Sequence, residues 1–196
     1  MNYNSLLAAV SDITDRDDAT THLARSLELV ETRINRLLED PEMEVTSTAT
    51  ASGDATALPA DFGSMVSIST GDGPLAATGA VEFAGYDHSI IGIPRRYAIV
   101  DGAISFWPAN STANIRMVYR RTIPPLSAAA PTNWLIERAP DVYLYGVLFH
   151  TEARAGDGEA AANWKAMWDE AIAELRTDSV RRKWGAGPIA PRVRRA

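Results

Sequence analysis

The sequence predicts an α+β protein: a helical bundle of about four helices, a central antiparallel β insertion and an extended C-terminal arm. Three observations predict this class. Apolar residues recur at helical spacing near both ends of the chain, β-branched and alternating stretches fill the middle, and regular patterning ends beyond Thr177. The expected segments are 1–41 for the first helices, 42–123 for the insertion, 124–178 for the last helices and 179–196 for the arm.

Two helices are predicted in the N-terminal segment. The first is a short apolar stripe over residues 6–10, which ends in the polar cluster 12–18. Asp17 or Asp18 can cap the second helix, because a carboxylate accepts free amide protons and complements the helix dipole. This second helix is expected to reach residue 40, since Pro41 stops it. Its apolar stripe consists of Leu23, Leu27, Val30, Ile34, Leu37 and Leu38.

The middle of the chain carries β signals. Residues 44–50 and 65–69 form short strand-like stretches, each followed by Gly and Asp. The clearest local signal is residues 97–107, which predict two strands joined by an Asp-Gly dipeptide in a type I′ turn. A further strand is predicted at 115–119, with Ile, Met and Tyr on one face. We expect the last three strands to form a meander.

Helical patterning returns after residue 131. Asn133 can cap a short turn through Arg138, and Pro140 suits the first position of the next helix, where a missing amide proton is no loss. That helix is apolar over most of its circumference, so it should lie at the centre of the fold, and Gly156 closes it. A last helix should pack antiparallel on it through Trp164, Met167, Trp168, Ala171, Ile172 and Leu175.

Charge is unevenly distributed along the chain. The sequence has 19 Lys and Arg against 25 Asp and Glu, a net charge of −6. Seven of the basic residues and one acid lie in 176–196, so residues 1–175 carry 12 basic and 24 acidic groups. An acidic body argues against a protein that binds nucleic acid over its whole surface, and a basic end suggests a segment that meets a partner.

Residue types exclude several functional classes. The absence of cysteine excludes disulfides, a thiol nucleophile and a cysteine-based zinc site. The first residues lack the pattern of a signal peptide, and no 18-residue apolar run could cross a bilayer, so we expect a soluble protein without membrane contact. His22, His88 and His150 are far apart and match no metal-ligand spacing. We find no phosphate-binding loop and no nucleophile elbow, and therefore expect no catalytic residue, metal or cofactor.

The basic C-terminal arm is the strongest candidate for a binding segment. A solvated tail is a comparably good explanation of the cations alone, but apolar anchors have no role in such a tail and favour docking. The arm residues expected to bind a partner are Arg181, Arg182, Lys183, Trp184, Ile189, Arg192, Arg194 and Arg195.

Several motifs together resemble the head-to-tail adaptor, or connector, proteins of tailed bacteriophages and gene transfer agents. The motifs are Arg33-Ile34-Asn35-Arg36, Leu58-Pro59-Ala60-Asp61-Phe62, Pro124-Pro125-Leu126, Thr132-Asn133-Trp134-Leu135 and Pro140-Asp141-Val142-Tyr143-Leu144-Tyr145-Gly146. The resemblance covers about residues 16–176. Its signature residues, which we expect in the core or in subunit contacts, are Asn133, Trp134, Pro140, Asp141, Tyr143, Tyr145 and Trp164.

The resemblance implies a virion structural protein without enzymatic activity, assembled in the host cytoplasm and placed at the head–tail interface. Copies would form a ring, usually of 12, beneath the portal protein ring, and the arm would be the portal ligand. The ring would extend the channel for double-stranded DNA and give stopper or tail-tube proteins a docking surface. Two alternatives stay open: a stopper or tail-completion protein, and a small DNA-binding protein that uses the basic arm.

Overall fold

A computed structural model describes residues 1–15, 19–50, 55–109 and 113–184, and the chain divides into two compact units. The helical unit contains Met1–Glu42 and Ile123–Ala196, and the β unit contains Met43–Thr122. The predicted α+β class is confirmed: of the six helices among the described residues, five lie in the helical unit and one, Ala80–Ala84, lies in the β unit.

The helices, in chain order, are α1 (Tyr3–Thr14), α2 (Ala19–Leu37), α3 (Ala80–Ala84), α4 (Trp134–Arg138), α5 (Pro140–Ala155) and α6 (Gly158–Trp184). The strands are β1 (Glu44–Thr50), β2 (Ala55–Ala57), β3 (Phe62–Thr70), β4 (Gly73–Pro74), β5 (Ala76–Ala77), β6 (Arg96–Val100), β7 (Ala103–Trp107) and β8 (Asn114–Arg121).

Helix α5 is the centre of the helical unit, as its apolar circumference predicts. Val142 and Leu148 are fully buried, and α1, α2, α4 and α6 all contact this helix. Pro140 begins α5 and Gly156 ends it with a φ of 83°, which confirms both local signals. A Cβ on Gly146 would lie 2.8 Å from atoms of the Trp168 and Val30 side chains. A glycine here therefore lets α2 and α6 approach α5 closely.

Helix α2 ends earlier than the sequence predicts. Its last residue is Leu37, and a 3₁₀ turn over Pro41–Met43 follows. Asp40 lies outside the helix, and its Oδ1 accepts a hydrogen bond from the Glu42 N–H at 2.9 Å. This local bond from a side chain to the backbone competes with continuation of the helix. The proposed caps, Asp17 and Asp18, lie outside the described residues.

Helix α6 corrects the prediction of an extended arm from residue 179. The helix continues to Trp184, because Ser179 is buried and its hydroxyl contacts the Asp40 carboxylate. Arg182 adds an ion pair to Glu42 at 3.1 Å. The sequence gives no sign of these tertiary contacts, which extend the helix from the predicted end at 178 to Trp184. Residues outside the described part of the chain include Ile189, Arg192, Arg194 and Arg195.

The β unit consists of two four-stranded sheets, with strand orders β1-β8-β3-β4 and β2-β7-β6-β5. The prediction of a β6-β7-β8 meander is wrong, because β8 pairs with β1 and β3 in the other sheet. Burial explains the change of sheet: Ile115 and Met117 of β8 enter one core with Ile104 and Phe106 of β7, so the two sheets face each other. The β5–β6 pair is parallel, so this sheet is mixed.

The Asp-Gly hairpin is confirmed. Strands β6 and β7 pair antiparallel around Asp101 and Gly102, whose φ angles of 51° and 72° suit a type I′ turn. The short helix α3 is not foreseen from sequence, because Gly79 precedes it without a side-chain cap.

Candidate docking surface

Asn133, one of the signature residues, ties three segments of the helical unit together. Its Oδ1 caps α4 by accepting a hydrogen bond from the Ile136 N–H at 2.9 Å. Its Nδ2 donates to the Pro124 carbonyl and to the Tyr143 hydroxyl, both at 2.8 Å. The predicted cap is therefore also a buried cross-link between a loop, α4 and α5.

Tyr143 continues this network to a carboxylate that sequence reasoning does not single out. Glu31 Oε1 lies 3.2 Å from the Tyr143 hydroxyl and accepts the Leu126 N–H at 2.7 Å. Burial raises the pKa of Glu31, and the hydrogen bonds from Leu126 and Tyr143 offset only part of that effect. Burial also raises the pKa of Tyr143. Because their polar atoms bond to one another, these groups stabilise the interior of the helical unit.

The other signature residues lie on α4, α5 and α6 at different depths. Trp134 is half-buried, with the Arg138 guanidinium 5.8 Å from its ring centre. Tyr145 and Trp164, also half-buried, stack with centroids 5.9 Å apart and planes 25° from parallel. Pro140 and Asp141 form the first turn of α5. The signature therefore follows the packing of the helical unit, and its residues do not converge on one cleft.

The terminal turn of α6, residues 180–184, brings together the described part of the predicted arm. Arg181 and Arg182 are exposed, and the Lys183 ammonium lies 5.8 Å from the centre of the Trp184 ring. Val180 and Trp184 are 53% and 61% exposed and four residues apart, so they share one side of the helix. Arg181 and Lys183 therefore adjoin the exposed apolar side chains on this helix end, whereas Arg182 lies on the other side and pairs with Glu42 at 3.1 Å.

A buried carboxylate, Asp40, fixes the direction of that helix end. It is fully buried and accepts hydrogen bonds from the Ser179 hydroxyl, the Glu42 N–H and, at 2.8 Å, Arg138 Nη1. Arg138 also bonds Asp178 of α6 at 2.7 Å.

Burial by itself raises the pKa of Asp40, but the bonds from Ser179, Glu42 and Arg138 together outweigh burial, so the pKa lies below its usual value. The ionised carboxylate therefore holds α6 against the end of α2. The sequence contains no pattern for this anchor, because Ser179 lies 139 residues from Asp40.

The described ranges contain no cluster of side chains suited to a metal ion. The histidines lie apart: His88 packs on Phe83, with ring centroids 5.2 Å apart, while burial and then Arg33 lower the pKa of His150. Within residues 1–15, 19–50, 55–109 and 113–184, no group of three potential ligands could hold a metal ion. Among the described helices, none has the length and hydropathy to cross a membrane.

Comparison with known proteins identifies one family. The model of the SU10 adaptor protein family matches residues 1–193, which include both units and the terminal turn of α6. A search of curated proteins finds no significant match.

Proposed function

The chain belongs to the SU10 adaptor protein family, and from this premise we propose that it is a virion structural protein that forms a ring beneath the portal, extends the DNA channel and provides a docking surface for stopper or tail proteins. The resemblance to phage head-to-tail adaptors is confirmed, and the protein is a phage adaptor. The family match over residues 1–193 is the observation that carries the proposal.

We propose that the portal ligand begins with the terminal turn of α6. Two features support this role. The turn presents Arg181 next to the exposed apolar groups Val180 and Trp184, the combination that anchors a helix end in a groove with an acidic rim. The Asp40 anchor orders this helix before docking, so less conformational entropy is lost on binding. The remaining proposed contacts are Lys183, Trp184, Ile189, Arg192, Arg194 and Arg195.

Charge supports the proposed role as a DNA conduit. Segments 1–42 and 123–175 together carry 7 basic and 17 acidic residues, a net charge of −10. A wall rich in cations would bind phosphates, whereas a negative one repels the duplex and lets it slide. A ring of such subunits would pass double-stranded DNA without sequence-specific binding.

Variants of the terminal turn test portal docking. The double variant Arg181→Glu/Trp184→Ala should weaken binding to purified portal rings by more than about tenfold, because it removes an anchor and reverses a charge. Arg116→Glu, an exposed site on β8, is the matched control and should bind normally. Mass photometry measures binding, and circular dichroism verifies folding. Unchanged binding by the folded double variant would contradict the docking role.

A truncation should end after Trp184. Removing residues from 178 onward would also remove Ser179 and with it the contact to Asp40, so a failure to dock could reflect damage to the fold. A chain ending at Trp184 keeps that contact and loses Arg192, Arg194 and Arg195. We expect it to fold and to bind portal rings more weakly than the full chain.

One observation favours a DNA-binding function as the second candidate: residues 176–196 carry seven basic residues and one acid. A DNA anchor predicts duplex binding that falls steeply with salt, in proportion to the phosphates contacted. The portal-ligand proposal instead predicts no duplex binding at moderate salt. A salt titration of fluorescent duplex separates the two functions, and the position of the chain in the particle separates an adaptor from a stopper.

A further inference from the structure

The outer face of α2 carries two cations at a fixed spacing. Arg25 and Arg36 are exposed and lie eleven residues apart, which is close to three helical turns and about 16 Å. Both side chains therefore lie on the same side of the helix. Leu29, 47% exposed, lies between them.

The outer face of α6 carries carboxylates at the same spacing. Glu159 and Glu170 are exposed and also eleven residues apart, so their separation is again about 16 Å. Met167, 40% exposed, lies between them, and exposed Glu174 extends the face by one turn. The opposite side of α6 packs in the core through Trp168, Ala171, Ile172 and Leu175.

These charged side chains have few partners among the described residues of their own subunit. In the part of the chain that the structure describes, Arg25, Glu159 and Glu170 form no ion pair, and Arg36 Nε bonds only the Thr32 carbonyl of its own helix, at 3.2 Å. With exposed Glu28 included, the α2 face has a net charge of +1. The α6 face, with three carboxylates, has a net charge of −3.

We propose that the α2 face of one copy docks on the α6 face of the next copy. The inference deepens the proposed function, since it rests on a ring of identical subunits. Such a ring needs a heterologous contact, in which two different faces of the same chain are complementary. Opposite charges at matched 11-residue spacing, with an exposed Leu on one helix and an exposed Met on the other, meet that requirement. Because one chain carries both halves of the match, the partner is a second copy.

Charge reversal gives a direct test. The Arg25→Glu/Arg36→Glu variant makes both faces acidic, and the Glu159→Lys/Glu170→Lys variant makes both faces basic. Either variant alone should lose self-association by at least about tenfold, because like charges would meet at every contact. An equimolar mixture of the two variants should associate again, since copies that alternate have opposite charges at every contact.

The readout separates this inference from the proposed function. Sedimentation of the full chain at high protein concentration measures self-association without portal, with Arg116→Glu as the control. The number of adaptor copies on each portal ring, measured by mass photometry, then reports filling of the ring. Loss of self-association in each variant, with recovery in the mixture, supports the contact between the α2 face and the α6 face even if portal docking fails. Normal association of both variants, or no recovery in the mixture of folded variants, would overturn it.

Discussion

The two units of this adaptor bury different chemistry. The helical unit encloses the ionisable groups Asp40 and Glu31, each held by several hydrogen bonds. The core of the β unit is a cluster of aliphatic, aromatic and methionine side chains, and the ion pair Arg96–Glu82 lies at its surface. A buried charge is expensive when its partners are lost, whereas an exposed one is solvated. Polar substitutions should therefore be far more damaging in the helical unit.

The largest expected effect follows from removing the buried carboxylate. Asp40→Ala should lower the free energy of unfolding by about 3–5 kcal/mol, because it leaves the Arg138 guanidinium and the Ser179 hydroxyl without their buried acceptor. Asp87→Ala is the counterpart in the β unit, where an exposed carboxylate bonds Ser89, and it should lower the melting temperature only slightly. Urea and thermal unfolding measure both variants. Equal destabilisation would remove the contrast between the units.

A glycine provides the next test. Gly146→Val should destabilise the protein by about 3 kcal/mol, because the new side chain meets Trp168 and Val30 in a packed interface. Gly79→Val in the β unit should be well tolerated, since a Cβ there meets no atom within 4 Å. Calorimetry of the two variants checks the difference. A Gly146→Val protein as stable as wild type would contradict this account, because it would show that α2 and α6 can move away from α5 with little loss of free energy.

Two tyrosines allow a milder comparison. Tyr143→Phe should lower stability by about 1–3 kcal/mol, because Asn133 and Glu31 lose a buried hydrogen-bond partner. Tyr97→Phe removes a hydroxyl for which the described residues show no hydrogen bond, so its effect should be much smaller. Urea unfolding of the pair measures the difference. A larger loss for Tyr97→Phe would contradict the assignment of the polar network to the helical unit.

The smallest effect is a difference in pH dependence. The pKa of Glu31 is raised by burial, so its stabilising contribution is fully present below the ordinary glutamate pKa of 4.5 and is lost as pH rises through the folded-state pKa. The pKa of Asp87 is lowered by its bonds to Ser89, so its contribution is present at neutral pH and is lost on acidification below 3.8.

Unfolding free energies of wild type and of variants at Glu31 and Asp87, measured from pH 3 to 8, show whether the two contributions change with pH in opposite directions. Relative to wild type, Glu31→Gln should be most stabilising above the raised pKa, because the amide avoids burying a charge. Asp87→Asn should differ from wild type in the opposite direction, with its deficit largest at neutral pH. Parallel pH profiles for wild type and Glu31→Gln would exclude a perturbed Glu31.

Local signals were enough to predict the elements that begin and end within one stretch of sequence. Pro140 and Gly156 bracket α5, and Asp101 with Gly102 fixes the hairpin between β6 and β7. The sheet to which β8 belongs could not be predicted from such local signals. Strand β8 pairs with β1, and Glu44 lies opposite Arg120, so the pairing joins residues far apart in sequence. Burial of apolar side chains in the shared core favours this pairing over one with β7.

The candidate docking surface was predictable in composition and not in conformation. Counting charge locates Arg181 and Arg182, but their helical geometry depends on Asp40, whose contact with Ser179 spans 139 residues. The pattern after Thr177 contains no apolar stripe long enough to predict a helix. The extension arises from the buried contact of Ser179 with Asp40 and from the Arg182–Glu42 ion pair, which are tertiary features that sequence periodicity does not encode.

The most direct test of the adaptor role is the position of this chain in a complete particle. A cryo-EM reconstruction of the head–tail interface should show it as a ring in contact with the tail-facing side of the portal, with the terminal turn of α6 against portal density. A particle in which the chain lies away from the portal, separated from it by another protein, would contradict that role.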